Sequence, residues 1–258
     1  MENIGKSKPG TKWYILSATL LVILILSVLF YFQNANRQTV KFANLKYGED
    51  PRETLDIYAP RTQQKKLPII FYGMVAAGRG GDKENIGEKP SYFVNQGYVF
   101  VSVNYRLYPK ANYKDIAADL ISAIKWIVQH QDQYPMDGSR IHLMGHSSGG
   151  HLVMLIGTNP KYLSSTGLSP HVIKSIINLE GPIDLADFFK RLPNYKKVFG
   201  EDEWVWSEAS PITYATSKNL PPMFLVTRRK STVSAFLREI KDAGNTAELF
   251  EVKTLSHS

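Results

Sequence analysis

The chain has 258 residues and no cysteine, which excludes disulfides, thiolate metal sites and a cysteine nucleophile. Its 43% hydrophobic and 21% charged residues suit a folded protein, and beyond an apolar N-terminal segment about 220 residues remain, enough for one α/β domain with a substantial core. The formal charge of +8 comes from scattered Lys and Arg, partly beside that segment, rather than from a basic stripe, which argues against nucleic acid as a partner.

From Trp13 to Phe32 the chain is uncharged and dominated by Leu, Ile and Val. A helix of that length, rising about 1.5 Å per residue, crosses a bilayer. The rival reading, a cleaved signal peptide, is disfavoured by the length of the run and by the lack of a small-x-small site at Tyr31-Phe32-Gln33-Asn34. Lys6, Lys8 and Lys12 precede the segment, and aromatics mark both of its ends. The expectation is a cytoplasmic segment over residues 1–12, a single-pass transmembrane anchor over 13–32, a linker over 33–37, and a domain over 38–258 that is periplasmic or extracellular. Arg37, Lys41 and Lys46 weaken the charge asymmetry behind that orientation.

Thr39–Lys46 and Thr54–Tyr58 read as early antiparallel strands, the second ended by Pro60. Pro68–Tyr72 suits a central buried strand and leads into a Gly-containing loop, Gly73–Lys83. A short helix over Tyr92–Gln96 stops at Gly97, and Tyr98–Tyr105, rich in β-branched and aromatic residues, is another inner strand. Ile116, Leu120, Ile124 and Ile127 recur at helical spacing within Tyr113–His130. Asp115 and Asp119 in that helix suit its dipole rather than catalysis. Strands follow at Ile173–Leu179, Pro222–Thr227 and Ala247–Val252, with helices at Asp184–Leu192 and Ser231–Ala243, the latter closed by Gly244. Trp204, Trp206 and Tyr214 fall in an irregular stretch and read as local packing or a partial lid. Alternating strands and helices imply an α/β fold with a mainly parallel, doubly wound sheet.

The stretch with chemistry is Arg140–Leu152. An apolar strand ends at Met144, the turn Gly145-His146-Ser147-Ser148-Gly149 carries Gly-x-Ser-x-Gly, and Leu152, Val153, Leu155 and Ile156 continue as an apolar helix. Strand, sharp turn and helix in that order push a serine hydroxyl out above a sheet, so Ser147 is the candidate nucleophile.

With these elements assembled, the chain resembles the α/β-hydrolase superfamily, and more closely the carboxylesterases of the bacterial feruloyl-esterase-like and kynurenine-formamidase-like group. The matching stretches are Leu55-Asp56-Ile57-Tyr58, Gly81-Asp82-Lys83, Val101–Leu107, Gly145–His151 and Ser210-Pro211-Ile212. The resemblance implies a serine esterase with a C-terminal His, an Asp after the penultimate strand and an oxyanion hole after the third strand. His257 fits the histidine by its place after the last strand. The backbone N–H groups of Ser148 and Val75 fit the oxyanion hole.

Two departures stand out. Where the family has a Gly-x-x-Asp turn after Phe224–Thr227, this chain has Arg228-Arg229-Lys230. A triad Asp fixes the His tautomer and stabilises the imidazolium, whereas cations nearby disfavour it. Glu180 and Asp184, just after the adjacent strand, are the substitute carboxylates; Asp184 is also placed to cap the following helix. The second departure is Met74-Val75-Ala76-Ala77-Gly78 in place of a His-Gly-Gly-type turn.

The resulting expectation is a membrane-anchored serine hydrolase that cleaves small carboxylic esters through an acyl-enzyme on Ser147. The alternative is a catalytically impaired protein of the same fold, retained for binding. No metal-ligand spacing and no Gly-x-Gly-x-x-Gly nucleotide turn occurs, so neither a metal nor another cofactor is expected.

Overall fold

The computed structural model describes residues 22–27, 39–61, 65–73 and 81–253. The chain divides into two units, Met1–Gln38 and Thr39–Ser258. In the first, residues 22–27 are helical with exposed apolar side chains. The remainder of the expected 13–32 anchor, its flank 1–12 and the linker 33–37 lie outside the described residues. Among the described residues no helix is long and apolar enough to cross a membrane.

The second unit is built on one eight-stranded sheet: β1 (Thr39–Lys46), β2 (Thr54–Pro60), β3 (Leu67–Gly73), β4 (Val99–Val103), β5 (Met136–His146), β6 (Ile173–Leu179), β7 (Met223–Thr227) and β8 (Ala247–Glu251). Their order across the sheet is β1-β2-β4-β3-β5-β6-β7-β8. β1 and β2 pair antiparallel, as does β2 with β4, while β4 with β3 and each later pair run parallel. The inner strands Val99–Val103 and Ile69–Tyr72 are buried on both faces, which explains their near-continuous apolar runs.

Two layers cover the sheet. On one face α2 (Tyr113–His130) and α3 (Ser148–Thr158) pack Leu120, Ile124, Val153 and Ile156 against Phe71, Val101 and Leu143. α7 (Ser234–Asp242) adds Phe236 and Ile240 to the same core. On the other face α1 (Lys89–Asn95) brings Phe93 against a smaller cluster of Ile70, Tyr72, Phe100 and Met144. Each fully buried Leu, Ile or Phe contributes roughly 1.5–3 kcal/mol, so the α2–α3 face holds the larger share of the hydrophobic stabilisation.

Local chemistry sets the helix boundaries. Asn112 caps α2 through a reciprocal box: its side chain accepts from Lys114 N at 2.8 Å and Asp115 N at 3.2 Å, while Asp115 Oδ2 accepts from Asn112 N at 2.9 Å. α1 begins earlier than its apolar pattern suggests because Pro90 fits a first helical turn. A short 3-10 turn, Lys230–Thr232, precedes α7, so the helix expected from Ser231 starts at Ser234. The stretch expected to be irregular contains α6 (Glu203–Glu208), after α4 (Pro160–Ser164) and α5 (Leu185–Arg191). In α6, Trp206 is buried against Phe189 and donates its indole N–H to Gly200 O at 2.8 Å, whereas Trp204 faces solvent. Of the two readings, packing describes Trp206.

Candidate active site

β5 runs to His146, and Ser147 follows at φ 54°, ψ −120° before α3 begins at Ser148. For a residue with a Cβ this conformation costs on the order of 1–3 kcal/mol, so the surroundings must hold it. Ser147 N donates to Leu179 O at 2.8 Å, and its carbonyl accepts from His151 N at 3.0 Å. The glycines have a different task from the one the pattern suggests. Neither Gly145 nor Gly149 has a positive φ; the left-handed residue is the serine itself. What glycine provides is contact. A Cβ on Gly145 would lie 2.3 Å from Gly149 O, one on Gly150 2.4 Å from Asn178 Oδ1, and one on Gly181 2.4 Å from His151 N. The start of α3 therefore touches β5 and the loop after β6 backbone to backbone. Asn178 locks that loop, accepting from Gly181 N at 2.8 Å and donating to Gly181 O at 3.0 Å.

Ser147 and Ser148 open onto a cavity of about 490 Å³ at the C-terminal ends of β5, β6 and β7, where open α/β sheets bind ligands. One wall is apolar: Phe188, Leu192, Tyr195 and Phe199 from α5 and the 3-10 segment behind it, with Tyr113 from α2. The other is polar and carries Glu180, Asp184, Thr227, Arg228 and Arg229. Ser210, from the Ser-Pro-Ile stretch, ties down the apolar wall. Its hydroxyl accepts from Leu185 N at 2.9 Å and donates to Trp206 O at 2.6 Å.

The cavity brings together Ser147, Ser148, Glu180 and Asp184; His257 and Val75 lie outside the described residues. Glu180, itself at φ 61°, follows the last residue of β6, the strand between the elbow strand and β7. Its carboxylate accepts from the backbone N–H of Arg228 and from Arg228 Nε, the latter at 3.1 Å. A carboxylate from just beyond β6 thus reaches the end of β7, the place where the resemblance to serine esterases expects the acid. Asp184 is the N-cap of α5, accepting from Asp187 N at 3.2 Å.

Three side-chain groups in or behind the site have roles that the sequence does not reveal. His151 lines the cavity but is buried, with Nε2 2.7 Å from Ala209 O. Burial drives its pKa down to about 4, the hydrogen bond to Ala209 opposing only in part, so the ring is neutral near pH 7. Its ordinary value is near ~6.5. An unfolded chain therefore takes up this proton first, and the stability is present above about pH 6.5 and lost as pH falls towards 4, by up to roughly 3 kcal/mol. His151→Gln is expected to flatten the dependence of melting temperature on pH across that window; an unchanged slope would show that another group carries it.

The second group explains three of the sequence stretches at once. Asp56 is fully buried on β2, with Lys83 Nζ 2.8 Å from Oδ1 and Lys41 Nζ 2.8 Å from Oδ2. Burial alone would raise its carboxyl pKa, but hydrogen bonds from both lysines and from Asn44 N–H hold it below the ordinary range. Asn104 accepts from Lys83 N at 2.7 Å and donates to Asp82 Oδ2 at 3.0 Å, and Ser102 donates to Lys83 O at 2.7 Å. Leu-Asp-Ile-Tyr, Gly-Asp-Lys and Val-Ser-Val-Asn-Tyr are one buried polar cluster. The third is Asp119, whose carboxylate takes Arg106 in a fork, Nη2–Oδ1 2.6 Å and Nε–Oδ2 3.0 Å. Burial pushes its pKa up against that guanidinium. The pair closes the loop between β4 and α2, a structural role that helical spacing does not reveal.

A parallel sheet flanked by helices, a strained serine between β5 and α3, and a cavity at the strand ends define the α/β-hydrolase fold. Residues 55–234 match the BD-FAE family model, and the chain belongs to that family. It is 26% identical to esterase LipC of Mycobacterium tuberculosis over 74% of this chain and 51% of that one. It is 24% identical to the kynurenine formamidase of Danio rerio over 87% of this chain and 77% of the relative. The chain spans about half the length of several of its curated relatives, LipC included. Among solved structures, esterase B from Lactobacillus rhamnosis superposes with a TM-score of 0.69 at 17% identity, covering 92% of this chain and 83% of that one; at that identity the likeness is one of fold.

Proposed function

We propose that the chain is a serine hydrolase of the carboxylesterase type, acting on small carboxylic esters through an acyl-enzyme on Ser147. The observation that carries this reading is the Ser147 elbow, a residue held at φ 54° on the wall of a 490 Å³ cavity. Relatives named as an esterase and a formamidase support it, since both names describe hydrolysis at an acyl carbon. In this scheme His257 takes the proton from Ser147, and Glu180 orients and stabilises the imidazolium. The N–H groups of Ser148 and Val75 receive the oxyanion. Water then releases the acyl group. We also propose residues 13–32 as a membrane anchor with the hydrolase domain on the outer side, on the strength of their uncharged, Leu- and Ile-rich composition.

The test is labelling of the full chain by a fluorophosphonate probe. Labelling is expected, and Ser147→Ala is expected to abolish it. Absence of labelling from folded protein would turn the assignment to the second reading, a catalytically impaired relative kept for binding. The observation favouring that reading is the cationic Arg228-Arg229 turn where the family carries its acid.

A further inference from the structure

Three arginines line the cavity, and two of them are paired with carboxylates that also line it. Arg191 pairs with Asp187 at 3.0 Å and Arg228 with Glu180 at 3.1 Å. The remaining carboxylate, Asp184, is turned to the first turn of α5, where backbone N–H groups favour a negative charge. Arg229 is different. Its side chain makes no ion pair among the described residues, yet it lines the same cavity as Ser147. Its backbone is held on both sides. Its N–H donates to Thr227 Oγ1 at 3.1 Å, and its carbonyl accepts from Thr232 N at 3.0 Å and Thr232 Oγ1 at 2.8 Å. The result is an exposed guanidinium on a fixed stem at the edge of a cavity that also carries apolar side chains.

Resting on the hydrolase reading, we propose that the cavity takes esters with an apolar body and a terminal carboxylate, and that Arg229 receives the carboxylate. A planar guanidinium matches a carboxylate fork to fork. The three arginines and three carboxylates of the lining balance, so the cavity offers no excess positive charge that would favour a doubly charged phosphate over a carboxylate. The apolar wall of Phe188, Leu192, Tyr195 and Phe199 accepts the hydrocarbon part between the two ends. Half-esters of dicarboxylic acids have this chemistry: an ester carbonyl for Ser147, a methylene chain, and a carboxylate.

Binding tests this separately from catalysis. Full-length Ser147→Ala protein, which leaves the ester intact, is titrated calorimetrically with monomethyl adipate and with methyl hexanoate, matched in length and differing in the carboxylate. The half-ester is expected to bind about tenfold more tightly, the size of one hydrogen-bonded charge pair. Arg229→Gln is expected to bring the ratio of the two affinities close to one, and Arg229→Glu to reverse it. Equal affinities in the Ser147→Ala parent, a preference that survives Arg229→Gln, or no binding of either ester at millimolar concentration would each overturn the proposal. Fluorophosphonate labelling of Ser147 does not enter this comparison, so a failure of the hydrolase reading and a failure of this one give different results.

Discussion

Alanine at Gly181 is expected to lower the stability of the chain by about 3 kcal/mol or more, a drop of roughly 10 °C in melting temperature for a domain of this size. The added Cβ would lie 2.4 Å from His151 N, 2.5 Å from Asn178 Oδ1 and 2.5 Å from Gly150 C. Two of these three are backbone atoms of α3, and the third belongs to an amide already bonded to both the N–H and the carbonyl of Gly181. None can move aside without shifting the helix or the loop. Thermal denaturation of Gly181→Ala beside the parent measures the effect, and a change within about 2 °C would mean that the elbow is not packed as tightly as the geometry requires. Gly150→Ala, with its Cβ 2.4 Å from Asn178 Oδ1 and 3.1 Å from the Gly181 Cα, is expected to behave in the same way but less severely.

Replacing Glu180 by glutamine is expected to reduce turnover of a short-chain ester by about 10³–10⁴, the scale of losing the carboxylate that orients a triad histidine. The alternative role for Glu180 is to hold the Arg228 turn. Arg228→Gln separates the two. If Glu180 supports His257, Arg228→Gln leaves most of the activity, because the carboxylate remains and loses a competing cation. If Glu180 only ties down the turn, both substitutions cost the same. Equal losses from the two variants would remove Glu180 from the triad.

Where local spacing carries the information, the sequence was a good guide. The continuous apolar runs of β3 and β4 and the Ile116–Ile127 stripe of α2 reflect which faces are buried, and the bounds of β1, β2 and β7 agree within a residue or two. The Gly-x-Ser-x-Gly turn lies between strand and helix as its pattern implies. What spacing does not carry is the meeting of distant segments. Asp56 and Lys83 come into contact across 27 positions, and Glu180 reaches Arg228 across 48. Asp119 looks like an ordinary helix charge until the fold brings Arg106 against it. Nothing in the composition around α6 outweighs its aromatic and polar residues, whose helical form depends on Trp206 finding Phe189. The elbow glycines are a subtler case: their identity was plain, but their reason is contact with Gly149, Asn178 and His151 rather than backbone freedom of their own.

That reason limits which substitutions the elbow tolerates. Gly145, Gly150 and Gly181 interlock a strand, a helix and a loop, so any larger residue there harms folding whether or not the serine ever meets a substrate. The side chains of Arg228 and Arg229, in the turn after β7, are exposed and carry no comparable packing demand. An intact serine motif therefore reports on the integrity of the fold as much as on chemistry at Ser147, and the less constrained residues around the cavity are the sharper probe of what it binds.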